Sequence, residues 1–157
     1  MALQELVIPS KDIDMYINVT GTPLKIDTGA RFQRGFAQTL ENIFAISHAD
    51  PIAVTSINAS YNLSIALQSG EYHVILDAIN ATLEAGTPLY ASWLQFPSFT
   101  FTVSWHMKNM PVPRTVSISF ANCKVANDSE DDTANSAQSI VDISMQGTGI
   151  KRDVYPI

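Results

Sequence analysis

Four stretches of this chain alternate apolar and polar residues with a period of two, and no other feature limits the fold so tightly. In SFTFTVSWHM at 98–107, Phe99, Phe101, Val103, Trp105 and Met107 alternate with Ser98, Thr100, Thr102, Ser104 and His106. At 54–68, Ile57, Ala59, Tyr61, Leu63, Ile65 and Leu67 alternate with Asn58, Ser60, Asn62 and Ser64. RTVSISF at 114–120 and SIVDISMQ at 139–146 repeat the pattern. Successive side chains of a strand point to opposite faces, so each stretch predicts a strand with one apolar and one wet face. The wet faces are unusual in carrying small hydroxyls and amides where Lys and Glu are expected.

Other segments fill in around these strands. IDMYINV at 13–19 reads as a first strand, closed by the turn signal Thr20-Gly21-Thr22-Pro23 and returned by Leu24–Asp27 as a hairpin. Residues 30–47 are ambiguous between strand and loop, because Gly35 and an irregular apolar spacing interrupt them. At 71–85 the period changes: Tyr72, Ile75, Leu76, Ile79 and Leu83 form one stripe of a helix, with Glu71 in its first turn and Gly86 and Pro88 as its stop. ANDSEDDTANSAQ at 126–138 reads as an exposed, flexible acidic loop carrying Asp128, Glu130, Asp131 and Asp132. Residues 1–12 and 148–157 read as arms. The expected class is mainly β, an antiparallel sandwich or barrel with one helix packed on it. A single helix cannot cover both faces of a parallel sheet.

The 157 residues are expected to form one domain with a core that needs no staples. Charged residues make up 15% of the chain, against a usual share of about 25%, so Ser, Thr, Asn and Gln must cover the surface. A surface so poor in charge guards weakly against self-association, which points to a chain that assembles. The net charge of −6 argues against binding nucleic acid by neutralising phosphates. Cys123 is the single cysteine, so no intrachain disulfide or multi-cysteine metal site is possible. MALQELVIPSKDIDM lacks a basic region followed by an apolar one, and no run approaches the ~20 residues of a membrane span, so a soluble, cytoplasmically made protein without membrane insertion is expected.

Catalytic chemistry finds little support. His48, His73 and His106 have no metal-ligand spacing. Cys123 beside Lys124 could be a thiolate, but a lone cysteine continuing a strand reads as a small core residue. The acidic run lacks the central Gly and distant Glu of a calcium loop and reads as solvated. Asn18, Asn58, Asn62, Asn80 and Asn127 each begin an Asn-x-Ser/Thr triplet, which an Asn- and Ser-rich chain produces by chance. No cofactor, metal or enzymatic activity is expected.

The order of amphipathic strands around one helix, the size, the hairpin MYINVTGTPLKI, and RTVSISFANCKVAN followed by a polar loop and SIVDISMQGTGIKRD together resemble the tail tube proteins of bacteriophages, kin to the inner-tube proteins of type VI secretion systems. The resemblance implies a β-sandwich or split barrel with one flanking helix, the tail-tube fold. It implies six copies in a ring, inner sheets joined into one barrel, and rings stacked into a hollow tube of the virion, assembled in the host bacterial cytoplasm. DNA passes through such a tube without specific binding. Its partners are other copies of itself, a tape-measure protein, baseplate or tail-tip and terminator proteins, and in contractile tails a sheath. In that frame Asn58, Ser60, Asn62, Ser64, Thr100, Thr102 and Ser104 are the expected lumen-facing residues. The competing reading is another β-sandwich binding module, glycan-binding or adhesin-like, with Trp93, Trp105, Tyr61, Tyr72 and Tyr90 as sugar platforms.

Overall fold

A computed structural model describes residues 12–29, 31–43, 50–51, 53–131 and 139–157. Among the described residues eight strands run β1 Ile13–Asn18, β2 Leu24–Ile26, β3 Arg31–Ile43, β4 Ala53–Gln68, β5 Phe99–Met107, β6 Arg114–Asp131, β7 Ile140–Gly147 and β8 Gly149–Pro156. One α-helix, α1 Ser69–Asn80, and a short 3-10 helix, Trp93–Gln95, lie between β4 and β5. All pairings are antiparallel, in the order β2-β1-β5-β6-β7-β4-β3, with β8 beside β6. The mainly β, antiparallel class with one helix is therefore what the alternation predicts.

The long strand β6 belongs to two sheets. Its first half pairs with β5 and β8, and its second half pairs with β7. The crossing point is Asn122, whose φ of 50° is tolerated because Asn visits the left-handed region more easily than most residues. Asn122 Nδ2 donates to Thr148 Oγ1 at 3.1 Å, and the Thr148 amide donates to the Ala121 carbonyl at 3.0 Å. Gly147 completes this corner, since a Cβ there would sit 3.3 Å from both the Ala121 oxygen and Cys123 Sγ.

The bend lets the two sheets face each other. Inward residues of the first sheet (Ile17, Phe101, Val103, Phe120) and of the second (Leu63, Ile65, Val141, Ile143, Met145) form one buried cluster. Phe32 of β3 stacks on Phe101 of β5 at 6.3 Å between ring centres and meets Trp105 edge-on. At one end α1 closes the core with Tyr72, Ile75, Leu76 and Ile79. Trp93, fully buried, stacks between Tyr72 and Phe96 and donates from Nε1 to the Tyr72 carbonyl.

One open reading is resolved and three local expectations need correction. Residues 31–43 form a strand throughout, although Gly35 interrupts its apolar pattern. The helix ends at Asn80 rather than near 85, because the Asn80 side chain turns back to bond both the amide and the carbonyl of Tyr90. The C-terminal segment is no free arm: Gly149–Pro156 is a strand against β6. Finally, Asp128, Glu130 and Asp131 lie in β6 rather than in a loop, while Asp132 and residues 1–11 of the expected arm 1–12 fall outside the described residues. Ser92 and Tyr72 both donate to Asp128 Oδ2, and Ser69 donates to Glu130, so these two carboxylates tie the helix end to the sheet.

Candidate assembly surfaces

The expected lumen residues divide between two opposite surfaces. Thr100, Thr102 and Ser104 lie on the outward face of the first sheet, formed by β2, β1, β5, β6 and β8. Ser60, Asn62 and Ser64 lie on the outward face of the second, formed by β3, β4, β7 and the end of β6. Asn58 belongs to the same strand, its backbone paired with Thr39. Alternation identifies which residues share a face of one strand; it does not say which sheet the strand joins.

The hydroxyls of the first surface are largely used within it. Ser104 is buried and its Oγ lies 2.7 Å from that of Ser117, while Thr102 and Ser119 pair at 3.2 Å. His106 contacts Thr115 through Nδ1 and Asp14 through Nε2, at 3.0 and 2.8 Å. Burial alone would push the Asp14 carboxyl up, but hydrogen bonds from His106 and Lys25 outweigh it and hold the group below the usual range. Register adds Lys25, Lys151 and Asp153 to this face, so it is charged as well as cross-linked.

The second surface is smoother. Register aligns Gln33, Ser64 and Ser144 in one row and Gly35, Asn62 and Gln146 in the next. These six residues line most of a shallow trough of about 600 Å³. The side chains of these six are short or neutral, and the cation that also borders the trough, Arg34, lies over the rings of Phe36 and Trp105.

Two further features point outward from the subunit. β3 ends the strand order, so among the described residues its outer edge has no strand partner. Such an edge is a template for another chain. The β3–β4 hairpin also runs past the core: Phe36 still meets Tyr61 and Phe120, but Leu40, Ile43 and Val54 stand exposed. Ile150 and Val154 of β8 are exposed too, and Ile150 pairs with Phe120, so the two apolar strips adjoin. Contiguous apolar surface of this kind marks a place of contact. The hairpin overhang escaped the sequence reading because 30–47 had no clear period.

Chemistry is sparse. Among the described residues no three His, Cys, Asp or Glu side chains converge in a way that could hold a metal, and His48 lies outside them. His73 is exposed, 3.8 Å from Glu130. Burial and the hydrogen bond to Asp128 push the Tyr72 hydroxyl up. Cys123 is fully buried, its Sγ lies 3.2 Å from the Phe120 carbonyl, and desolvation pushes its thiol up to about 11. We expect a thiol reagent such as DTNB at pH 8 to label Cys123 only when the protein is unfolded; rapid labelling of the folded protein would contradict a core role. Trp93 and Tyr72 are buried and Trp105 lies under Phe32 and Arg34, so three of the five aromatics considered for sugar stacking are occupied within the fold. No described helix is long and apolar enough to cross a membrane.

Among solved structures, the SPP1 tail tube matches with a TM-score of 0.58 at 10% identity, over 96% of this chain and 81% of that one. This is the tail-tube fold. It also matches a chain of the sheath–tube complex of PVC, an extracellular contractile injection system, with a TM-score of 0.58 at 10% identity over 98% of each chain. A chain from the virion of a gene transfer agent particle gives 0.54 at 10% identity, over 96% of this chain and 99% of that one. No protein-family model and no curated relative matches by sequence. The tail-tube fold is thus shared with these structures at only 10% residue identity.

Proposed function

We propose that the protein is a structural subunit of a hollow tube: a virion tail tube in which six copies form a ring and stacked rings conduct the genome into a bacterial host. One observation carries this reading. A chain with the tail-tube fold leaves the β3 edge unpaired and an apolar hairpin uncovered on the same side. A neighbouring copy that adds its strands to that edge satisfies the backbone groups and buries the apolar overhang in one step. Closing the ring this way leaves no free edge in the second sheet.

The same geometry favours one surface as the channel wall. The second sheet, which carries the long β3 edge and the apolar hairpin, presents the neutral face of Gln33, Ser60, Asn62, Ser64, Ser144 and Gln146. Asn58, Ser60, Asn62 and Ser64 are then lumen residues, and Thr100, Thr102 and Ser104 belong to the opposite side of the wall. The whole chain serves as one tube-forming domain, with no catalysis. Terminator, tape-measure and baseplate proteins, and a sheath if the tail contracts, are its partners. Electron microscopy of the concentrated protein tests the reading. Hollow tubes or rings are expected; a protein that stays monomeric even with its tail-completion partners would defeat it.

A further inference from the structure

The neutral face of the second sheet contains one full ion pair. Register sets Arg31 of β3 and Asp142 of β7 on either side of Ala66 of β4. Arg31 Nη2 donates to Asp142 Oδ1 at 2.7 Å, reaching over the intervening strand. Ala66 is only 5% exposed although it points outward, because the pair roofs it. On the rows that β3, β4, β7 and β6 share, the other described basic side chain of this face is Lys124. Its Nζ is tied to the Phe96 carbonyl at 2.7 Å.

We propose that Asp142 is a charge mask, whose role is to withhold the Arg31 guanidinium from a polyanion moving along this face. The inference rests on the tube reading and adds a residue-specific mechanism to it. A free guanidinium is a strong fork for phosphate oxygens. Repeated in every subunit of every ring, it would line the wall with sites that a nucleic acid backbone must release one after another. Paired, Arg31 and Asp142 present a dipole whose field falls away within the roughly 8 Å screening length of physiological salt. The pair is exposed on both sides, at 47% and 55%, and such pairs contribute little to folding. A purely structural role therefore explains it poorly.

The test uses assembled tubes of the full chain and a short fluorescent single-stranded DNA as probe, read by anisotropy. Wild-type tubes should not retain it. Asp142→Asn and Asp142→Ser tubes should bind it, with affinity falling roughly tenfold or more between about 50 and 200 mM salt. Arg31→Gln/Asp142→Asn tubes should return to the wild-type result. Tubes of both Asp142 variants that bind no more DNA than wild type overturn this inference and leave the tube reading standing. So does binding that persists in the double variant, since another group must then hold the DNA. A wild-type chain that forms no tube removes both.

Discussion

Leu40→Lys and Val54→Lys should each abolish ring and tube formation while leaving the subunit folded. Both side chains are exposed in the subunit, at 56% and 57%, so a lysine there meets water and disturbs no core contact. In the proposed assembly the same positions become interior. Each substitution then loses the burial of one aliphatic side chain, about 1.5–3 kcal/mol, and strands an unpaired charge, which costs about 3–5 kcal/mol more. Since about 1.4 kcal/mol is a factor of ten in association, a single contact is weakened by several orders of magnitude. The defect repeats at every contact around the ring. Sedimentation velocity should show monomer, with circular dichroism and melting behaviour close to wild type. Normal tubes from either variant would mean the hairpin is not where copies meet.

The second large effect concerns folding. Trp93→Ala should destabilise the subunit by about 3–5 kcal/mol, the range for removing a buried large aromatic. Trp93 is fully buried, sandwiched between Tyr72 and Phe96, and its amide and indole N–H both bond to Tyr72. Its loss opens a void where α1 meets the sheet and unseats the Tyr72 hydroxyl that reaches Asp128. Against a typical total of about 5–15 kcal/mol, that lowers the melting temperature by about 10 °C. Trp93→Phe should recover part of the loss. A shift of less than about 2 °C in thermal unfolding would show that the aromatic stack is not the clamp on this end of the fold.

How much of this was legible in the residues varies by element. β4, β5 and β7 carry a clean alternation, and their buried residues, Leu63, Ile65, Phe101, Val103, Val141 and Ile143, are those the alternation places inward. β3 was ambiguous because an arginine occupies an inward position: Arg34 lies over the rings of Phe36 and Trp105, a cation–π arrangement that polarity alone does not reveal. β8 looked like an arm because KRD reads as solvent-facing. Its partner β6 is distant in sequence, Ala121 pairing with Gly149 and Arg114 with Pro156, and pairing between such segments leaves no local mark. Asp128 likewise looks solvated in an acidic run, yet it is the acceptor that anchors Tyr72 and Ser92. The residues expected to face a lumen illustrate the remaining gap. Alternation says which side chains share one face of a strand, but only the bend at Asn122 sets the β4 and β5 residues on opposite outward surfaces of the subunit.

The sharing of β6 between two sheets also governs the order in which the chain can become a folded object. β1 pairs with β5, and β4 with β7, so before residues 99–147 exist the described strands of the N-terminal half can pair only as the hairpins β1–β2 and β3–β4. During synthesis those hairpins wait, with Phe36, Leu40 and Val54 uncovered, until the strand that unites both sheets emerges last but two. Non-local pairing of this kind makes folding slow and leaves apolar edges open to capture. Wherever many copies are made at once, completing each chain therefore races against premature clustering of unfinished neighbours.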